Sequence, residues 1–300
     1  MSTTTTTTIG RDAELVVLAE KEWRRAQSEH RRVTAEWSAP RLARRQKGER
    51  HPVDDFLWEY YPIRPAQLQR WSPGLGVALA GDATQFLSLP GFATTAHGVV
   101  IDPSQLPQQR KAAERIAELL SATQARPGRF GCFALHEWAM VYDIDQSALR
   151  HAAYPLRLAP NEVRGVVDEL GLRCTHFDAF RFYTDAARPL NPLQLTRADQ
   201  VEHEQPGCLH ANMDLFKWAW QLFPGAAADL VRATRQLTAE VRWLDMRAAP
   251  YDLRTLGVVP LHVETTDGRA EFVAAQRGFA ERAAGLRGEL LTVASALLSA

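Results

Sequence analysis

The sequence predicts a mainly helical α+β domain, and three observations carry that expectation. Apolar residues recur at steps of three, four and seven along several long segments, the spacing of one face of an α-helix. Two stretches, residues 130–142 and 208–223, are apolar nearly all round and read as buried helices. Residues 74–101 combine glycine-rich turns with short β-branched runs, which reads as a small β element. The 300 residues suffice for a sizeable core, and 46% hydrophobic with 23% charged residues is the balance of a folded globular chain.

Residues 1–10 form a threonine tract expected to be a disordered tail, with 11–300 as one domain lacking any linker. Leu15, Ala19, Trp23, Ala26, Val33 and Trp37 mark the stripe of a first long helix. Residues 24–50 hold nine Lys/Arg against three Glu, either a solvated helix face or a phosphate-binding surface. Asp54, Asp55 and Glu59 then form either an acidic cluster at a site or the solvated first turn of a helix. Asp102, Pro103 and Gln105 read as a helix start, with Leu106, Ala113, Ile116, Ala117 and Leu120 as its core face. Residues 161–170 form a helix ended by Gly171, whereas 173–184, short and aromatic, read as strand and extend the β element beyond 75–101. Residues 226–247 carry the stripe Leu230, Leu237, Val241 and Leu244. The last helix starts near Asp267 and keeps Phe272, Phe279, Ala283, Leu286, Leu290, Val293 and Leu297 on one face.

Lys+Arg and Asp+Glu both total 35, so a strongly basic nucleic-acid coat is excluded, though a local basic patch is not. No apolar run approaches the roughly 18 residues that span a bilayer. Cys132, Cys174 and Cys208 are too few for a secreted disulfide scaffold, so a cytoplasmic protein with reduced thiols is expected.

Polar residues inside apolar segments point to function, because burying them is costly unless something satisfies or uses them. His136 and Glu137 lie in the first buried segment, and an extended 174–178 would aim Cys174, His176 and Asp178 to one face. In the second buried segment His210, Asp214, Lys217 and Gln221 fall on one helical stripe, which reads as a cleft wall or as a solvated face. Each cysteine shortly precedes a histidine: Cys132 and His136, Cys174 and His176, Cys208 and His210. These groups could build a zinc or iron site at His136, His176 and His210, with Asp178 or Asp214 as carboxylate, although the spacing matches no zinc-finger or facial-triad pattern.

The strings HPVDDFLWEYYPIRPAQLQRW, GCFALHEWAMVY, CTHFDAFRFYT, EQPGCLHANMDLFKWAW and LDMRAAPYDL resemble a group of bacterial proteins labelled 3-methyladenine DNA glycosylase, from about Arg41 to the C-terminal helix. The helix-hairpin-helix glycosylases carry an L-P-G-x-G turn. Leu89-Pro90-Gly91-Phe92-Ala93 departs from it at the second glycine, and Asp102 follows too early for the catalytic acid. Tandem helical repeats of the HEAT-like alkylpurine glycosylases are absent too, so the resemblance implies a different scaffold.

A glycosylase needs a carboxylate beside the sugar cation, aromatic surfaces for a flipped base and positive charge for phosphate. Asp214 is the first candidate for the carboxylate, then Asp178 and Glu137, with His136, His176 and His210 as further catalytic candidates. Trp138, Arg181, Phe182, Tyr183, Lys217, Trp218, Asp245 and Arg247 are the substrate-binding candidates. The partner would be damaged duplex DNA, or else a small nucleoside or base. The alternatives are a metal-dependent hydrolase or oxygenase built on the three histidines, and a non-catalytic binding protein using the basic N-terminal helix.

Overall fold

In the computed structural model, which describes residues 15–144 and 154–300, the chain enters as strand β1 (Val16–Leu18) and turns at Ala19 into helix α1 (Glu20–Gln46). The tail expected over residues 1–10 lies outside the described residues. Glu22 Oε2 accepts the Ala19 N–H at 2.9 Å, satisfying a donor at the helix start. The stripe expected to begin at Leu15 therefore begins as helix only at Glu20, because Val16–Leu18 pair in parallel with β2 (Val77–Leu79). Strands β3 (Phe92–Thr95) and β4 (Gly98–Ile101) form a hairpin, and the sheet order is β1-β2-β4-β3. Gly98 sits at φ +122°, where a Cβ would lie 2.2 Å from the Leu79 carbonyl oxygen, so only glycine lets β4 pass this close to β2. Gly91 leads straight into β3, so the region resembling the glycosylase turn belongs to a sheet.

The α1 stripe faces inward through Trp23, His30, Thr34 and Ser38. Trp23 donates its indole N–H to the Ala80 carbonyl at 2.9 Å and meets Phe86 edge-on, joining helix to sheet. Short helices α2 (Phe56–Tyr60) and α3 (Pro65–Leu68) follow α1. Asp102 does cap, accepting from the Ser104 backbone and the Gln105 amide, but what it starts is a 3₁₀ turn, Pro103–Gln105. Helix α4 (Pro107–Ala125) begins after it.

Among the described residues the remaining α-helices are α5 (Leu135–Ala139), α6 (Pro160–Leu170), α7 (Phe177–Phe180), α8 (Gln200–His203), α9 (Leu209–Met213), α10 (Leu215–Leu222), α11 (Ala228–Ala248) and α12 (Thr266–Leu298). Helix α12 runs along α4 and α11, burying Phe272, Ala283, Leu290, Ala294 and Leu297, and the buried apolar side chains form one contiguous core. The class is mainly α with one small sheet.

Three local expectations are corrected. The helix read over 130–142 is a single turn, α5, because Phe133 (φ 45°) and Ala134 (φ 56°) take left-handed conformations that no helix accommodates. Residues 173–184 are not strand: the Asn191 side chain binds both the N–H and the carbonyl of Cys174, occupying the groups a neighbouring strand would need. Helix α7 starts directly after His176. The helix read over 208–223 is two pieces, α9 and α10, meeting at Asp214, which keeps helical dihedrals (φ −67°, ψ −11°) and so preserves the expected stripe.

Candidate active site

Three helices bring a row of histidines together. The His136 ring, from α5, meets the His210 ring of α9 edge-on at 4.5 Å between centroids, and His176, preceding α7, lies 5.3 Å beyond at a tilt. A carboxylate stands behind each end of the row. His136 Nε2 is 3.0 Å from Asp245 Oδ1 of α11. His176 Nε2 is 3.1 Å from Glu204 Oε1 and 3.7 Å from Asp214 Oδ2.

The two ends differ in how their acids are satisfied. Asp214 accepts from the Tyr61 hydroxyl at 3.1 Å and from Lys217 Nζ at 3.3 Å, while Glu204 accepts from the Gln200 amide at 2.5 Å. Asp245 Oδ2 receives Arg242 Nη1 at 3.2 Å, and Arg242 also bridges to Glu137 at 2.8 Å. Among the described residues Asp245 Oδ1 and His136 Nε2 have no hydrogen-bond partner, the N–H not being directed at the close oxygen; the His176 ring nitrogens also lack one, but there the acids' oxygens are taken by other donors.

Charge follows from these contacts. Burial opposes the charged form of His176, but Glu204 and Asp214 outweigh it and push its pKa up to about 10. Burial would raise Asp214, yet His176 and Lys217 hold it at about 2. Asp245 is likewise kept low, against burial, by His136, whose own pKa Asp245 raises. His210 has no acid of its own, and burial together with the neighbouring His136 charge pushes it well below the ordinary value, leaving it neutral.

A cavity of about 370 Å³ opens beside this row. His136 and His210 line it, as do all three cysteines, Phe130, Tyr183, Arg129 and Arg173. Burial raises every thiol, Cys174 to about 11, so the sulfurs are neutral. Among the described lining residues there is no carboxylate, and neither arginine side chain makes an ion pair.

The expected site residues are thus partly assembled. His136, His176, His210, Asp214 and Asp245 converge, Lys217 bridges Asp214 and Asp178 (3.9 Å), and Tyr183 reaches the cavity wall. Asp178 is held by Arg181 and Arg197, outside that wall, and Glu137 is taken up by Arg242. Trp138 and Trp218, expected as stacking surfaces, are core side chains at 0% and 1% exposure, with the Trp138 indole bound to the Ala248 carbonyl. Phe182 lies beneath the Arg181 guanidinium (4.4 Å), and Arg247 pairs with Glu271 at the surface. Glu204, Tyr61 and Arg242 were missed: each sits in a segment without periodicity or among ordinary helix charges, and only their long-range contacts reveal them.

Of the nine Lys/Arg over residues 24–50, three are ion-paired among the described residues. Arg24 pairs with Glu20, Arg32 with Glu29 and Glu36, and Arg44 with Asp54 and the buried Asp55. Among the described residues no helix is long and apolar enough to cross a membrane. Compared with family models, curated proteins and solved structures, the chain matches none.

Proposed function

We propose that the protein is a hydrolase of N-glycosidic bonds whose substrates are alkylated purine nucleotides, such as 3-methyladenine in damaged DNA. The composition of the cavity wall carries this reading. Two histidines, His136 with a carboxylate behind it and His210 without, stand beside two aromatic rings, Phe130 and Tyr183, and two arginines that make no ion pair among the described residues. Rings of this kind stack a purine, and guanidinium groups grip phosphate. A volume of about 370 Å³ falls within the range of small-molecule sites.

An N-alkylated purine carries positive charge. When the C1′–N bond breaks, its electron pair returns to the base, which leaves neutral without needing a proton. Water forms the new C1′–O bond, and its proton passes to the histidine–carboxylate cluster. Asp245 is a positioning residue in this scheme, because it reaches the cavity only through His136.

The test is release of free base, followed by chromatography, from alkylated duplex DNA and separately from the matching free nucleotide. Release from at least one is expected, with a loss of about 100-fold in His136→Gln. Release from DNA alone identifies a repair enzyme, and release from the nucleotide alone a small-molecule enzyme. Folded protein that releases base from neither, with or without added zinc or iron(II), overturns the reading.

A further inference from the structure

We infer that His136, His210 and Asp245 form a binding site for one divalent first-row transition-metal ion at the cavity wall. One ligand atom from each residue lies within 4.8 Å of the other two. Bonds of about 2.0–2.2 Å to nitrogen and oxygen would draw these atoms together by small side-chain rotations. The three come from different helices, α5, α9 and α11, each fixed in the core, so the arrangement is built by the tertiary fold rather than by a local turn.

A second observation points the same way. His136 Nε2 and Asp245 Oδ1 are buried, 3.0 Å apart and without a hydrogen-bond partner. Leaving two buried polar atoms unsatisfied is costly, and a cation between them satisfies both. The surrounding contacts match those of a metal ligand sphere. Asp245 Oδ2 is fixed by Arg242, which Glu137 holds in turn, so the carboxylate is oriented from behind. His136 and His210 face the cavity, which leaves coordination positions open for water or substrate.

The donor set of two imidazoles and one carboxylate selects zinc, iron(II) or a neighbouring ion over magnesium or calcium, which take oxygen ligands. The three thiols share the cavity but lie outside the cluster of His136, His210 and Asp245. The inference deepens the hydrolase reading, since a bound cation would acidify the attacking water. It is measured without substrate, so the two can fail separately.

The experiment titrates cobalt(II) into chelator-treated protein, reading the visible d–d bands, alongside elemental analysis of protein purified without chelator. One equivalent is expected, with visible bands and no strong near-ultraviolet sulfur-to-cobalt band. His210→Ala and Asp245→Asn should each weaken binding by at least about 100-fold. His210→Ala keeps the test intact if the buried Asp245→Asn variant fails to fold, because His210 is only part-buried. His176→Gln should bind as the wild type does. Folded wild-type protein that binds no cobalt, binding that survives His210→Ala, or a strong sulfur band each overturns the site.

Discussion

The two ends of the histidine row contain the same chemical pair, an imidazole against a carboxylate, in different settings. At the His176 end Asp214 is engaged by Tyr61 and Lys217 and Glu204 by Gln200, while the ring, its nitrogens without a hydrogen-bond partner among the described residues, is 1% exposed and off the cavity wall. At the His136 end the ring lines the cavity, and Asp245 keeps an oxygen without a hydrogen-bond partner. A buried acid already engaged by other donors and away from the cavity is a structural device. An acid with a free oxygen behind a histidine that lines a cavity marks where a ligand completes the protein.

The largest expected effect separates the two ends by activity. Asp245→Asn should lower base release by about 100-fold or more, while Asp214→Asn should leave the rate per folded molecule within a few-fold. Asp214→Asn should instead register in stability, at about 3 kcal/mol in urea denaturation, because it strips buried His176 of one of its two acids. The reverse pattern would make Asp214 the functional carboxylate.

A smaller effect is expected at the other charged region that stands out in the sequence. Arg44→Ala leaves Asp55, 5% exposed, without its guanidinium partner and should cost about 1–3 kcal/mol. Arg45→Ala, on the exposed side of the same helix, should cost under about 0.5 kcal/mol. Equal losses by denaturant titration would mean the helix charges act collectively rather than as pairs.

The smallest effect concerns His30, a buried histidine with a carbonyl, Leu68 O at 2.8 Å, in place of an acid. Burial lowers its pKa from the ordinary 6.5, so the folded protein holds it neutral while the unfolded chain takes up a proton. Its contribution is complete above pH 6.5 and is lost as pH falls through the lowered folded-state value. Stability measured over that acidic range should fall less steeply in His30→Gln. An unchanged slope would place the acid sensitivity elsewhere.

Much of this molecule was legible before the fold was known. The stripes of α4, α11 and α12 follow from 3.6-residue periodicity, and strands β2 and β4 follow from β-branched and apolar runs among glycine-rich turns. His136, His176 and His210 stood out because polar side chains were embedded in apolar segments. What stayed hidden depended on distant partners. Residues 173–184 read as strand because nothing local announces that Asn191 will bind Cys174. Trp138 and Trp218 looked like stacking surfaces because burial is not a local property.

The sequence by itself determined the helical class, the small sheet and the types of group available for chemistry, since periodicity and residue chemistry act over a few neighbouring positions. The tertiary structure alone decided which acid faces which histidine. Asp245 lies 109 positions from His136 along the chain, and Glu204 lies 28 from His176, yet each stands within about 3 Å of its ring. Those distances are set by how α5, α9 and α11 pack, and a charge buried by that packing takes its pKa and its function from whatever the packing puts beside it.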